Sequence, residues 1–202
     1  MKKFVVIAAT CALLGSATAA LAAGDATAGK AKSATCAACH NADGNSANPQ
    51  YPKLAGQGAD YLLKQLQDYK AGVRVNPIMA GMVAPLSPQD MEDLAAYFAS
   101  QQVARAAADP ALAPQGEALF RGGNLTSGVS ACAACHGTVG AGNPLAKFPA
   151  IAAQHAEYLQ LQLKAFRAME RTNDAGQMMR SIAAKMTDPE IKAVSSYIQG
   201  LQ

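Results

Sequence analysis

Histidine is scarce in this sequence of 202 residues, and long apolar runs and runs of like charge are absent. A protein that binds nucleic acid needs a concentrated basic surface. Because this sequence has no run of basic residues, we do not expect it to bind nucleic acid. The apolar run at residues 4–14 is shorter than the ~20 residues that span a bilayer, and no second such run follows. We therefore expect no membrane-spanning anchor.

Residues 1–22 have the pattern of a secretory signal peptide. Lys2 and Lys3 precede the apolar run, and Ala20-Leu21-Ala22 resembles a cleavage site. Cleavage there or one residue later predicts export to the periplasm. Of the 17 basic residues, two lie in this segment, which leaves 15 against 14 acidic residues. A surface so close to neutral predicts only weak long-range steering of partners.

Four of the five cysteines lie in two copies of one motif, and the fifth, Cys11, lies in the predicted signal peptide. The copies are Cys36-Ala37-Ala38-Cys39-His40 and Cys132-Ala133-Ala134-Cys135-His136. C-x-x-C-H is the attachment site of c-type haem, in which the cysteine sulfurs bond to the porphyrin vinyl groups and the histidine ligates the iron. A zinc site would need four pooled ligands. The repeated histidine argues against zinc and against a redox C-x-x-C, so we predict two covalent haem c groups.

The motifs belong to a longer internal repeat, which predicts two similar domains. Blocks around Gly29, the first motif, Pro52 and the last helix recur in the second half of the chain. We predict domains at 23–104 and 114–202, joined by a linker at 105–113. Apolar residues at helical spacing predict an all-α fold, with a few short helices wrapped around each haem.

Three helix starts are also predicted from capping patterns. Asp60 is a candidate cap for the helix that follows it, and Ser87 is a candidate cap for the last helix of the first domain. Thr187 and Glu190 have the spacing of a capping box at the start of the last helix.

The repeat also selects a second axial ligand for each iron. Two of the three histidines are in the motifs, and the counterpart of His155 is Gly58, so two histidines per iron are excluded by count. Methionine recurs in both copies only at Met79 and Met179. Isoleucine replaces the other candidates in one copy or the other, which indicates packing; these are Met82, Met91 and Met178. Histidine–methionine ligation raises the reduction potential.

Two further residue types recur near these ligands. Pro52 and Pro149 follow the motif histidines, and each carbonyl could accept the imidazole N–H and so orient the ring; the alternative is a plain turn proline. Arg74 and Arg171 precede the methionines, and each guanidinium could pair with a haem propionate. The alternative for both arginines is a solvated loop position.

Taken together, these motifs resemble the cytochrome c4 family, whose members have two class I cytochrome c domains. Other matching stretches are residues 52–57, 61–66, 94–98 and 196–201. The resemblance implies a pseudo-twofold pair of domains with facing haem edges, and Met79 and Met179 as ligands. It also implies a periplasmic electron carrier, often loosely membrane-associated, between the cytochrome bc1 complex and a terminal oxidase such as the cbb3 type.

Three other functions fit parts of this pattern. A dihaem subunit of a flavocytochrome c sulfide dehydrogenase has similar modules but works bound to a flavoprotein. A dihaem peroxidase needs an open haem position and a longer chain. A haem-based gas sensor needs a signalling module, which the sequence lacks. We expect an electron carrier that is not an enzyme and has no small-molecule substrate.

Overall fold

The computed structural model describes residues 24–201, so the predicted signal peptide lies outside the described residues. Over this range the chain is mostly helical and adds only two isolated antiparallel bridges, at Asn124 with Val129 and at Asn143 with Phe148. No helix in this range is long and apolar enough to cross a membrane. The α-helices are α1 (Ala26–Lys32), α2 (Ala34–His40), α3 (Ala59–Lys70), α4 (Pro77–Val83), α5 (Pro88–Ala99), α6 (Ala113–Gly122), α7 (Ala133–His136), α8 (Ala156–Arg167), α9 (Met178–Ala183) and α10 (Asp188–Gly200).

The helices form two modules of the same plan, α1–α5 and α6–α10. In each module the first helix crosses the last, and the third helix also packs on the last. The crossings are tight, because a Cβ atom on Gly29 would lie 2.0 Å from the carbonyl oxygen of Asp93, and one on Gly116 would lie 2.3 Å from that of Ala193. Only glycine permits this approach of two backbones.

Each module has its own apolar core around these crossings. The last helix supplies much of both cores, as the helical spacing predicted. The first core contains Leu62, Leu94, Ala95, Tyr97 and Phe98. The second core contains Leu119, Phe120, Val129, Leu159, Met186, Ile191, Val194, Ile198 and Leu201.

Two of the three predicted helix starts are confirmed. Ser87 forms a capping box with Asp90 at the start of α5, and Thr187 forms one with Glu190 at the start of α10. The cap predicted at Asp60 is wrong, since α3 begins at Ala59 and its N-cap is Gly58, two residues before Asp60. Asp60 lies instead in the first turn, where a carboxylate interacts favourably with the helix dipole.

The chain between α5 and α6 is irregular and bonded to both modules. The backbone N–H of Ala104 donates to Oδ1 of Asn45 at 2.7 Å, and that of Asp109 donates to Oγ of Ser196 at 2.9 Å. The predicted linker lies within this segment except for Ala113, the first residue of α6. These bonds hold the connection against both modules.

Candidate haem sites and the interface between them

The first C-x-x-C-H motif lies on α2, which ends at His40. Nδ1 of His40 lies 2.9 Å from the carbonyl oxygen of Pro52. A carbonyl oxygen can only accept, so Nδ1 carries the proton and Nε2 keeps its lone pair. Cys36 packs against the first core, and burial raises the pKa of its thiol.

The second motif repeats this arrangement on a shorter helix. His136 ends α7, and its Nδ1 lies 2.9 Å from the carbonyl oxygen of Pro149. Cys132 packs against the second core, and burial raises the pKa of its thiol to about 11. The two prolines therefore do more than form turns, since each fixes the tautomer of a histidine.

Both histidines are neutral bases with one nitrogen available. Burial lowers the pKa of His40 and of His136, and the proline carbonyls only partly offset it. Within residues 24–201, Nε2 of neither histidine has a protein hydrogen-bond partner. A neutral imidazole whose other nitrogen is oriented by a carbonyl has the form of a metal ligand.

Six of the seven methionines in residues 24–201 fall into three groups by burial, and the seventh, Met169, is 55% exposed. Met91 and Met186 are buried in or beside the cores, with 4% of the residue exposed. Met82 and Met178 are 39% and 41% exposed. Packing was the interpretation for both of these residues, and it is wrong, because they lie on the outer sides of α4 and α9 rather than against a core.

Met79 and Met179, the predicted ligands, are both half-buried and lie in the first turns of α4 and α9. The two helices are held differently. Oδ1 of Asn76 accepts from the backbone N–H of Met79 at 3.0 Å. In the second module, three extra residues form a 3-10 turn, and Asp174 instead pairs with Arg180, next to Met179, at 2.6 Å.

The two arginines are buried at the interface between the modules, so the solvated-loop alternative is wrong. Arg74 and Arg171 are only 7% and 9% exposed. A guanidinium nitrogen of Arg74 donates to the Tyr158 hydroxyl at 3.0 Å, and one of Arg171 donates to the Tyr61 hydroxyl at 3.0 Å. Each arginine thus reaches a tyrosine of the opposite module, and both tyrosines are interface residues.

Two glutamines complete this cluster. Gln65 accepts from Arg74 at 2.8 Å and from Arg171 at 3.2 Å, and Gln162 accepts from Arg74 and Arg171 at 2.8 Å each. Within residues 24–201, neither arginine has a carboxylate within ion-pair distance. A buried cation without an anionic partner is costly, so two adjacent guanidinium groups form a site that suits anionic groups.

A second pair of glutamines crosses the interface beside the prolines. Gln154 accepts from the backbone N–H of Lys53 at 2.8 Å and donates to the carbonyl of Lys53 at 2.9 Å. Gln57 accepts from the backbone N–H of Ala150 at 2.9 Å and donates to its carbonyl at 2.8 Å. The two contacts are reciprocal, as a pseudo-twofold axis requires. Neither glutamine was singled out from the sequence, although both stand at the same repeat position.

His155 makes an interface contact that has no counterpart. It is the N-cap residue of α8, and its Nε2 lies 2.8 Å from the carbonyl oxygen of Ser46. The hydroxyl of Ser46 donates to the carbonyl of Cys39 at 2.9 Å. The second module therefore supports the first attachment loop, while Gly58 offers no equivalent group in return.

These features fit haem better than zinc. No cluster of three or more histidine, cysteine or acidic side chains that could hold a metal occurs among residues 24–201. Among these residues the arrangement gives the zinc alternative no support. Each module instead offers two thiols, one of them packed against an apolar core, and one oriented neutral imidazole. Buried cations at the interface suit the carboxylates of a porphyrin.

Known proteins match this chain over nearly all of the described range. The cytochrome c family matches residues 26–102 and again 115–202. Cytochrome c4 of Stutzerimonas stutzeri is 56% identical over 190 residues, covering 89% of this chain and 90% of that protein. The crystal structure of reduced recombinant cytochrome c4 from Pseudomonas stutzeri superposes with a TM-score of 0.87 at 55% identity, covering 89% of this chain and all of that chain.

The fold and both sites define a dihaem cytochrome c, in which two tandem helical domains each carry one covalently attached haem c. Within this class, the chain belongs to the cytochrome c4 family and is an electron-transfer protein. A more distant relative, from Stutzerimonas stutzeri, is named a thiosulfate dehydrogenase electron acceptor. It is 40% identical over 166 residues, covering 80% of this chain and 76% of that protein.

Proposed function

We propose that the protein is exported to the periplasm and carries single electrons from the cytochrome bc1 complex to a terminal oxidase of the cbb3 type. One observation carries the proposal: both domains combine an oriented neutral histidine with a half-buried methionine at the same repeat position. Two side-chain ligands close an iron to exogenous molecules and favour electron exchange over catalysis. The protein then acts as a carrier and not as an enzyme.

In this proposal the chain supplies every ligand of both haems. Bound haem provides an iron that exchanges one electron between its ferric and ferrous states. The cysteine sulfurs would hold each porphyrin by thioether bonds, and a histidine Nε2 and a methionine thioether would bind the iron. The first site consists of Cys36, Cys39, His40 and Met79. The second site consists of Cys132, Cys135, His136 and Met179.

Arg74 and Arg171 are proposed to contact haem propionates. Two buried guanidinium groups without a carboxylate partner support this role. The cross-domain bonds of Arg74 mean that Arg74→Ala affects docking as well as the first haem. Redox titration of Arg74→Ala, with Tyr158→Phe as the control that loses one cross-domain bond and keeps the cation, separates the effects. Arg74→Ala should lower the stability or shift the potential of the first haem, and unchanged stability and potential in this variant would contradict the propionate role.

Substitution of each methionine tests the ligand assignment. Met79→Ala and Met179→Ala are each expected to open one iron, so carbon monoxide binds rapidly to one haem of the reduced holoprotein. Met82→Ala, one helical turn from Met79, is the matched control and is expected to leave both haems closed. Rapid binding in Met82→Ala, with none in Met79→Ala, would overturn the assignment.

The proposed partners are tested by electron-transfer kinetics. Membranes containing the bc1 complex and quinol should reduce the ferric protein in a reaction that an inhibitor of quinol oxidation blocks. A cbb3-type oxidase should then oxidise the ferrous protein. Failure of both reactions with active enzymes would contradict the respiratory role. The weak charge bias predicts a shallow dependence of these rates on ionic strength.

A second role is favoured by the relative named a thiosulfate dehydrogenase electron acceptor. In this role the protein accepts electrons from a thiosulfate-oxidising enzyme. Stopped-flow mixing of ferric protein with thiosulfate dehydrogenase and thiosulfate distinguishes the two donors, because only the favoured donor should reduce the protein within the turnover time of the enzyme. Co-purification of a stoichiometric flavoprotein would instead favour the sulfide dehydrogenase alternative, and turnover of peroxide would favour a peroxidase.

A further inference from the structure

The two peptide units that follow Pro52 and Pro149 each join a histidine of one domain to a glutamine of the other. The carbonyl of Pro52 accepts from His40, and the N–H of the same peptide unit, on Lys53, donates to Gln154. These two bonds lie at opposite ends of one conjugated amide group. They connect the motif histidine of the first domain to a side chain of the second.

The second domain has the same connection in the opposite direction. The carbonyl of Pro149 accepts from His136, and the N–H of that peptide unit, on Ala150, donates to Gln57. The cross-domain bonds are shielded from solvent, because Gln57 and Gln154 are only 8% and 7% exposed. Both glutamine oxygens also accept from the next backbone N–H of their own domain, at 2.9 Å from Gly58 and 3.1 Å from His155, which fixes the amide orientation.

Amide groups transmit polarisation between their two ends. An N–H that donates a hydrogen bond makes the carbonyl oxygen of the same amide more negative, and linked hydrogen bonds strengthen one another by roughly 10–30% per bond. A stronger carbonyl acceptor draws the Nδ1 proton further from the imidazole. The ring then becomes a better electron donor at Nε2, as outer hydrogen bonds to ligand histidines generally achieve.

We infer that Gln57 and Gln154 are positioning residues through which each domain tunes the haem ligand of the other. Gln154 acts on His40 and lowers the reduction potential of the first haem. Gln57 acts on His136 and lowers that of the second. Docking of the two domains is then itself a determinant of both potentials. The inference rests on the proposed axial ligation by these histidines.

The test compares Gln57→Leu and Gln154→Leu in the full-length holoprotein. The direct readout is the proton NMR shift of the histidine Nδ1–H in the reduced, diamagnetic state. Gln57→Leu should move the Nδ1 signal of His136 toward a weaker hydrogen bond and leave that of His40 in place. Gln154→Leu should do the reverse. Redox titration gives the equilibrium constant for the distribution of one electron between the two haems. This constant should change on the order of twofold in favour of the haem whose histidine has lost the polarised carbonyl.

Two controls separate this effect from a loosened interface. Tyr158→Phe removes a cross-domain hydrogen bond from Arg74 but leaves both peptide units intact, and it should move neither Nδ1 signal. Gln57→Glu keeps an acceptor for the Ala150 N–H in a side chain of equal length. It should keep the His136 signal at or beyond its original position, even if Gln57→Leu proves too unstable to study.

The outcomes distinguish this inference from the proposed ligation. Shifts of both histidine signals by either variant, or shifts of neither in low-spin protein, would overturn the cross-domain tuning alone. A high-spin spectrum of the unsubstituted protein would overturn the axial ligation as well. The crossed pattern, in which each glutamine affects only the opposite histidine, would support the inference.

Discussion

The two domains use the same glycine-mediated helix crossing but stabilise it differently. In the first domain, Lys32 of α1 pairs with Asp90 at 2.6 Å and with Asp93 at 2.7 Å on α5. In the second domain, Leu119 stands at the repeat position of Lys32 and is buried in the core. Ala193 likewise replaces Asp93. A single backbone plan therefore tolerates an ionic contact in one copy and apolar packing in the other, provided that the glycine remains.

The largest expected loss of stability comes from a substitution at the apolar helix crossing of the second domain. Phe120 is fully buried, and Ser33 occupies its repeat position in the first domain. Phe120→Ala should destabilise the second domain by about 3–5 kcal/mol, because a buried aromatic side chain is lost and a cavity remains. Chemical unfolding followed by NMR signals of each domain checks this, with Ser33→Ala as the control in the first domain. Equal destabilisation of both domains by Phe120→Ala would contradict separate cores.

Substitution of the glycine at either helix crossing should lower the stability of its own domain, by a similar amount in both. Gly29→Ala and Gly116→Ala place a methyl group against a backbone carbonyl, so each should destabilise its own domain by about 1–3 kcal/mol through overpacking. Gly81→Ala, on α4 with no atom within 4 Å of the added Cβ, is the control and should be neutral or slightly stabilising. The same unfolding experiment applies. A neutral result at either crossing would mean that the helices can separate without cost.

The segments that carry the proposed methionine ligands should respond to different substitutions. Asn76→Ala removes the side-chain cap of α4 and should destabilise the Met79 segment by about 0.5–2 kcal/mol. The rate of carbon monoxide binding to the reduced first haem should rise, with the second haem unaffected. Asp174→Asn, which weakens the ion pair with Arg180, should affect only the second haem. A response of both haems to either change would contradict separate support of the two segments.

The ionic contact at the first helix crossing should make the stability of the first domain depend on pH in acid, in a way that the second domain does not share. The hydrogen bond from Lys32 holds the pKa of Asp93 at about 2, below its ordinary value. A carboxyl group with a lowered folded pKa contributes stability above about pH 4 and loses that contribution as the pH falls toward 2. Lys32 also lowers the pKa of Asp90, whereas the pKa of Glu190, its repeat counterpart, is lowered by Thr187 and Asn124 and by no cation. Both carboxyl groups of the ionic crossing therefore distinguish the first domain.

Unfolding of each domain between pH 5 and pH 2, in steps of about half a unit, measures this difference. The first domain should lose stability more steeply than the second. Asp93→Asn should bring the two slopes closer, because the contact of Lys32 with Asp90 remains, while changing little in the second domain. Parallel slopes in the unsubstituted protein would mean that the ionic contact does not stabilise the crossing.

Comparison of the two copies within the sequence predicted much of the fold. The capping residues Ser87 and Thr187 and the core faces of the last helices follow local rules of spacing, and the structure confirms them. Asp60 was misassigned because Gly58 and Asp60 lie close together at a helix start and the acidic residue has the stronger capping preference. Local patterns resolved the elements and two of the three predicted helix starts, but not the start of α3.

Contacts between domains could not be predicted in the same way. The partners of four interface residues lie 84 to 110 positions away and depend on how the domains dock; these residues are Gln57, Gln154, Tyr61 and Tyr158. Their recurrence at matching repeat positions was the available signal, but recurrence does not reveal whether a side chain contacts its own domain or the other one. The buried state of Arg74 likewise follows from docking, which no local pattern encodes.

The most direct test of the account is an absorption spectrum of the holoprotein, oxidised and then reduced, before and after addition of carbon monoxide. The account predicts two c-type haems per chain, both low-spin, with a methionine-to-ferric-iron charge-transfer band and no rapid change with carbon monoxide. A rapid carbon monoxide shift at either haem of the unsubstituted protein would contradict it. Met79 or Met179 would then not close its iron, and ligand binding or catalysis would replace electron transfer as the function to explain.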